Sequence, residues 1–401
     1  LMARATAGLQ VIGGPREPLQ RLARGLPAPW YTDAAHYTRE LERIWYARWI
    51  ACCREEELPA AGDYRVVAIG NQSILVVRGA DGPIRAFHNT CRHRGSILTT
   101  STQGNFGGGA ISCPYHAWTY DLAGTLTLTP RQMITPDFDP RRFGLHAVRV
   151  DRWAGIVFVH LGGGRPAALS LAPALGELPR QFARYELDRL RLGHRIELDV
   201  AANWKLLVEN FGECFHCPVV HPELCRIVPA YRDAGAWGLH RDARGRALPE
   251  STPMFAARAR TLTLDGTSSL EPFRHLNEQE RAQLYEPALV APNLFLNVHP
   301  DYVHTHMMFP TGPTSVRMVY DWLFAPEALG RSFDPRPYVE LWKITNEQDA
   351  QNCTWQQQGL TARPFEHGWY VPQEFDSDRF ARWVRASLRA RPAGIDRRAR
   401  R

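Results

Sequence analysis

The sequence predicts an α+β protein in two parts, a small all-β domain followed by a larger domain of antiparallel sheet with helices packed on it. Three observations carry this. From Gly62 apolar residues recur at every second position in DYRVVAIG, SILVVRG and IRAFHN, with an Asp81-Gly82 turn between the last two, the pattern of short antiparallel strands. The stretch Gly162-Gly163-Gly164-Arg165-Pro166 then marks a boundary. Beyond it, alternating runs such as HRIELDV mix with segments of helical spacing.

The elements follow in order. Residues 36 to 50, HYTRELERIWYARWI, place Leu41, Ile44, Trp45 and Trp49 near helical spacing, so residues 1–45 are expected to be a helical segment packed on the larger domain. Residues 46–161 form the β domain, with DLAGTLT and GIVFVHL as later strands. Residues 166–385 form the second domain. There, HRIELDV is a half-buried strand, and Asn203 is the N-cap of a helix running through ANWKLLVENFGECFHC, which Pro218 ends. PNLFLNVHPDYVHTHMMFP and SVRMVYDWLF are strands around a PTGPTS turn, and a long helix runs from Pro335 and Pro337 to Gly359. Loops and irregular helix are expected over 230–285.

Composition narrows the function classes. The 401 residues carry a net charge of +7, yet residues 382 to 401 hold eight arginines against Asp396 alone, which accounts for the whole excess. Residues 386–401 therefore read as a solvated basic tail, and the charge is no argument for nucleic acid or an anionic membrane. No apolar run approaches a membrane span, and LMARATAGLQVIGG lacks a signal peptide's apolar core, so a cytoplasmic protein is expected. Its eight cysteines then read as metal ligands or free thiols.

Two constellations carry chemistry. In CRHRGS and CPYHAWTY, Cys91, His93, Cys113 and His116 supply one Cys and one His from each of two loops. Structural zinc uses the same donors, but usually with both cysteines in one half and both histidines in the other. Two histidines replacing two cysteines on one iron of a [2Fe–2S] centre remove negative charge and raise its potential. Pro114, Tyr115 and Trp118 would keep such a cluster dry, and Gly95 would let backbone amides approach its sulfurs. In ENFGECFHCPVVHPEL, Glu213 and His216 lie three apart on the predicted helix and share a face, and His221 can swing back after Pro218. Two imidazoles can then meet at one metal with a carboxylate alongside. The same residues also read as Cys214, Cys217, His221 and Cys225 of a zinc knuckle, a nucleic-acid-binding module. His304 and His306 share a strand face and read as packed histidines.

The first constellation resembles the motif of Rieske non-haem iron oxygenases, with a slightly long interval of 19 residues between His93 and Cys113 and with Ala117 where glycine is frequent. NWKLLVENFGECFHCPVVHP resembles that family's histidine motif, and TNEQDAQNCTWQQQGL its C-terminal ligand segment. The resemblance implies a catalytic α subunit with a Rieske [2Fe–2S] cluster on Cys91, His93, Cys113 and His116, and mononuclear Fe(II) on His216, His221 and Asp349. It also implies that Glu213 links His216 to the cluster ligand His116 of a neighbouring subunit in a homotrimer. Electrons would come from NAD(P)H through a separate reductase, directly or with a ferredoxin between, since no nucleotide-binding GxGxxG unit occurs in the chain. Glutamate at position 213 resembles the branch of glycine betaine and choline monooxygenases and stachydrine demethylase. That branch implies O₂-dependent hydroxylation or N-demethylation of a quaternary ammonium substrate. Phe211, Phe215, Trp237, Phe255, Phe295, Tyr302 and Trp322 are the aromatic candidates for its cage. Ring hydroxylation of an aromatic acid is the alternative reaction, and a non-catalytic electron carrier the alternative role.

Overall fold

The structure is a computed structural model that describes residues 17–162, 170–232, 255–283 and 286–389. The glycine-rich boundary beyond Gly162, Trp237 and the tail from residue 390 lie outside the described residues. The chain divides into two compact units, one of residues 45–162 with 170–171, the other of residues 17–44 with 172–389.

The first unit is built on two antiparallel sheets. A seven-stranded sheet runs in the order 50–54, 156–160, 147–153, 84–88, 72–78, 63–69 and 103–105, and a three-stranded sheet joins 110–112, 119–121 and 126–128. Alternation puts Leu75, Val77 and Phe87 from the large sheet and Ile111, Tyr120 and Leu126 from the small one into a shared core. The expected helix over 36–50 is shorter than its apolar spacing suggested. It spans Ala34–Glu40, continues as one wider turn over Leu41–Trp45, and gives way to the buried strand Ile50–Arg54. Its apolar tail, Trp49 and Ile50, satisfies a strand as well as a helix, which periodicity alone cannot separate.

The second unit centres on a five-stranded antiparallel sheet in the order 191–200, 315–324, 303–312, 294–298 and 286–290. The edge strand Arg191–Val200 is only half-buried, and its Arg195 pairs bidentately with the buried Asp321 across the ladder at 2.6 and 2.8 Å. The inner strand Val303–Gly312 is buried along most of its length. One cause is the long helix Arg336–Gly359, which lays Tyr338, Trp342, Thr345 and Asn346 on the sheet. The Trp322 indole donates to the Tyr338 carbonyl and the Trp342 indole to the Tyr302 hydroxyl, both at 3.0 Å. No helix among the described residues is long and apolar enough to cross a membrane.

The helix Trp204–Phe211, whose N-terminus is capped by Asn203, is clamped from both ends of the chain. Lys205 pairs with Glu40 at 2.6 Å with both side chains fully buried, and Tyr31 and Tyr370 donate to Glu209 at 2.7 and 2.9 Å. Burial pushes the Glu209 carboxyl up to about 7, against the pull of those two hydroxyls. The folded chain therefore holds a proton there between its ordinary 4.5 and about 7 that the unfolded chain has released, so stability declines as pH rises through that window, by at most about 1.4 kcal/mol per pH unit. Glu209→Gln is expected to flatten this limb of the urea midpoint measured from pH 5 to pH 7.

Candidate metal centres

The four residues of the first constellation meet at the tips of two loops. Cys91 and His93 follow the strand Ile84–His88, whereas Cys113 and His116 lie in the hairpin between Ala110–Ser112 and Thr119–Asp121. The loops are built alike. In each, the cysteine carbonyl accepts from the amide four residues on, Gly95 or Ala117, at 3.0 Å. In each, the cysteine amide also donates to the carbonyl five residues on, at 2.8 Å to Ser96 and 2.9 Å to Trp118. The turn requires left-handed backbone at its fourth step, with φ of 75° at Gly95 and 55° at Ala117. Gly95 thus spends its amide on closing the turn and not on a sulfur. Alanine is strained in this conformation, and Ala117→Gly is expected to stabilise the unit by about 1 kcal/mol, read as a higher thermal midpoint.

Both cysteines are buried, while both histidines sit at the exposed rim with ring centroids 4.7 Å apart. Burial raises the Cys91 thiol above its ordinary value, the Tyr120 hydrogen bond opposes this and the neighbouring Cys113 adds to it. A buried pair of thiolates is costly without a cation, and an iron pair with exposed imidazoles on its outer side fits this donor set. Trp118 stacks on His93 at 4.9 Å and is backed by Phe138 and Phe143. Tyr115 lies against His116 and, like Pro114, is exposed, so of the three expected covering residues Trp118 is the buried one, and the two phenylalanines join it. Tyr120 ties the centre to the core. Its hydroxyl accepts from the Arg92 amide at 3.0 Å and lies 3.2 Å from the Cys91 sulfur. Hydrogen bonds to ligand sulfur raise a cluster's potential, and Tyr120→Phe is expected to lower the potential measured by redox titration.

The second constellation assembles differently from the helical expectation. The helix ends at Phe211 with Gly212 as its cap, and Glu213 to His216 form a turn. Pro218 opens the next short helix, Cys217–Val220, and does not end the first, because its fixed φ and missing amide suit a first turn. Glu213 and His216 meet nonetheless. The His216 Nδ1 lies 2.7 Å from Glu213 Oε1, and a Glu213 oxygen also accepts from the Phe215 and His216 amides.

Asp349, on the long helix, completes a triangle. Its Oδ1 is 2.9 Å from His221 Nε2 and 3.4 Å from His216 Nε2, and the two Nε2 atoms are 3.1 Å apart. An octahedral ion with ligands at about 2.1 Å places neighbouring donors about 3.0 Å apart, so the three atoms fit one face of such an ion. Each imidazole turns its other nitrogen to a fixed partner, His216 to Glu213 and His221 to Gln348 Oε1 at 2.7 Å, which holds both Nε2 atoms toward the metal position. Burial alone would lower His216, but Asp349 and Glu213 against it push it up to about 10. Burial would likewise raise Asp349, and the two imidazoles hold it well below the carboxylate range. Two carboxylates, Asp349 and Glu213, thus flank the paired imidazoles.

Sequence reasoning missed several residues here. Asn210 donates to Asp349 at 3.1 Å, and Gln348 fixes His221. The cavity over the triad is lined by Phe211, Tyr231, Leu262, Trp342 and Thr345. Of the aromatic candidates among the described residues only Phe211 lines it. Phe215 is exposed, and Phe255, Phe295, Tyr302 and Trp322 belong to the buried core. Trp342 and Thr345 were findable, since they precede Asp349 by seven and four residues and so share its helix face.

Cys214 and Cys217 are joined in a disulfide, which departs from the expectation of ligands or free thiols and removes two donors from the zinc-knuckle alternative. His304 and His306 pack as expected. They are buried, kept neutral by burial, and lie within hydrogen-bonding reach of Asn346 and Asn297. A wider groove of about 650 Å³ beside Tyr185 and Phe273 holds none of the candidate ligands, and its Arg189 is paired with Glu186 and Glu327.

Residues 48–139 match the Rieske [2Fe-2S] domain family, and residues 187–390 match the ring hydroxylating alpha subunit catalytic domain. The glycine betaine monooxygenase oxygenase subunit of Chromohalobacter salexigens is 33% identical over 393 residues, covering 91% of this chain and 86% of that protein. The chloroplastic choline monooxygenase of Beta vulgaris is 27% identical, over 90% and 76%. The crystal structure of the quaternary ammonium Rieske monooxygenase CntA with gamma-butyrobetaine is similar in fold, with a TM-score of 0.70 at 22% identity over 91% of this chain and 95% of that one.

Proposed function

The chain belongs to the Rieske-type ring-hydroxylating oxygenase alpha subunits, and from that premise we propose that it hydroxylates a small quaternary ammonium compound, removing an N-methyl group. Cys91, His93, Cys113 and His116 would hold the [2Fe–2S] cluster, and His216, His221 and Asp349 the mononuclear iron. When bound, these groups supply an electron relay and O₂ activation. The rest is the chain's own work. Glu213 and Gln348 orient the two imidazoles, and Asn210 orients the carboxylate. Phe211, Tyr231 and Trp342 present aromatic surface to the reacting position.

The observation that carries the substrate class is the lining of that cavity. Among the described residues it offers three aromatic side chains, Phe211, Tyr231 and Trp342, with no arginine or lysine. Aromatic faces suit a trimethylammonium group, whereas an aromatic acid would call for a basic partner. In the reaction one oxygen atom enters an N-methyl group and the other leaves as water. The carbinolamine so formed falls apart to a tertiary amine and formaldehyde.

The electron supply would be NAD(P)H through a separate reductase in the cytoplasm, and the working assembly a homotrimer in which Glu213 connects His216 to the partner subunit's His116. Product analysis tests the substrate reading. The chain, loaded with iron and supplied with a reductase and NAD(P)H, is offered a panel of betaines, tertiary amines and aromatic acids. Formaldehyde and demethylated amine in equal amounts, from betaines alone, are expected. Ring-hydroxylated acid as the only product would overturn the proposal in favour of the aromatic-acid alternative.

A further inference from the structure

Cys214 and Cys217 flank Phe215 and His216, and their sulfurs are bonded to each other. Both side chains are buried, and both line the cavity that holds His216, His221 and Asp349. The bond therefore closes a four-residue ring around one of the candidate iron ligands. The Cys217 sulfur is also within 4.8 Å of a ring nitrogen of each of His216 and His221. Bound to Cys214, that sulfur has no negative charge to offer a cation. Released as a thiolate it becomes a soft donor at the edge of the triad. Two imidazoles and a thiolate are a donor set that favours zinc over Fe(II), and the thiolate would take one of the positions an oxygenase iron keeps open.

We propose that Cys214 and Cys217 are a redox-modification site that sets which metal ion His216 and His221 accept. Bridged, the site offers nitrogen and oxygen donors and holds iron; opened, it adds the Cys217 thiolate and takes zinc. The proposal rests on the assignment of His216 and His221 as metal ligands. Closing the bridge requires an oxidant, and hydrogen peroxide, the two-electron reduction product of O₂, balances it. The two thiols give up two protons and two electrons, the sulfurs join, and the peroxide becomes two waters. Opening takes two electrons and two protons from a dithiol, which becomes a disulfide in turn. Cys225 is a free, buried thiol whose sulfur is 3.4 Å from the Cys217 carbonyl, so exchange is tested in a Cys225→Ser background as well.

The test uses the full chain with its cluster in place. One portion is reduced with dithiothreitol and another oxidised with peroxide, the state of positions 214 and 217 is read by alkylation and mass spectrometry, and each is loaded with zinc. Absorption at the zinc edge, which the cluster irons do not disturb, is expected to show a sulfur neighbour at about 2.3 Å in the reduced chain and in Cys214→Ser. None is expected in the oxidised chain or in Cys217→Ser. Zinc affinity is expected to fall at least tenfold on oxidation. Zinc held by nitrogen and oxygen alone in the reduced chain overturns the proposal, and so does a bridge that dithiothreitol leaves closed in the folded protein. Failure of the underlying assignment looks different: His221→Ala would then take up iron and zinc as the unaltered chain does.

Discussion

Replacing Asp349 with alanine is expected to empty the mononuclear site while leaving the cluster in place. Asp349 Oδ1 stands 2.9 Å from His221 Nε2 and 3.4 Å from His216 Nε2, and it brings the only negative charge among the three donor atoms. Without it two neutral imidazoles remain, too few to hold Fe(II) against water. Partners that merely orient a ligand typically cost 10- to 100-fold when lost, so loss of a ligand itself should lower turnover by more than about 100-fold. Iron should fall from about three to about two atoms per chain with acid-labile sulfide unchanged, since the cluster donors lie in the other unit. Iron content and sulfide, assayed on the same preparation, check this. Unaltered iron would leave the chain an electron carrier and nothing more.

How far such a site can be read before folding depends on how local its parts are. Cys91 and His93, or Cys113 and His116, sit within single turns, and their spacing already marks them as candidates. Glu213 and His216 were paired for a reason that did not hold. Gly212 ends the helix before either, and a turn closed by the Glu213 carboxylate on two backbone amides brings them together. Asp349 lies 128 positions beyond His221, and no spacing rule spans that distance; only resemblance singled it out from Glu340 and Glu347 on the same helix. Of the cavity aromatics Phe211 was named and Tyr231 and Trp342 were not, because nothing in the sequence says which separate elements fold onto the triad. Tyr231 and Trp342 arrive on separate helices, while Phe215, adjacent to His216 in sequence, faces outward.

Glu213→Gln is expected to separate electron transfer from metal binding. Glutamine matches glutamate in size, and its one oxygen can still accept from His216 Nδ1, which keeps the imidazole's partner at the cost of the acceptor for the Phe215 and His216 amides. What is lost is the negative charge that raises His216, together with a carboxylate oxygen able to accept from a second imidazole. If Glu213 connects His216 to the partner subunit's His116, that second acceptor belongs to the electron's route. Iron content should then stay near that of the unaltered chain, and reduction of the cluster by the reductase should keep its rate. Reoxidation of the cluster in the presence of substrate and O₂ should slow by about 10- to 100-fold. Stopped-flow absorbance of the cluster resolves the two steps. Should reoxidation keep its rate while iron is retained, Glu213 serves only to close the turn through the Phe215 and His216 amides, and the route between subunits runs elsewhere.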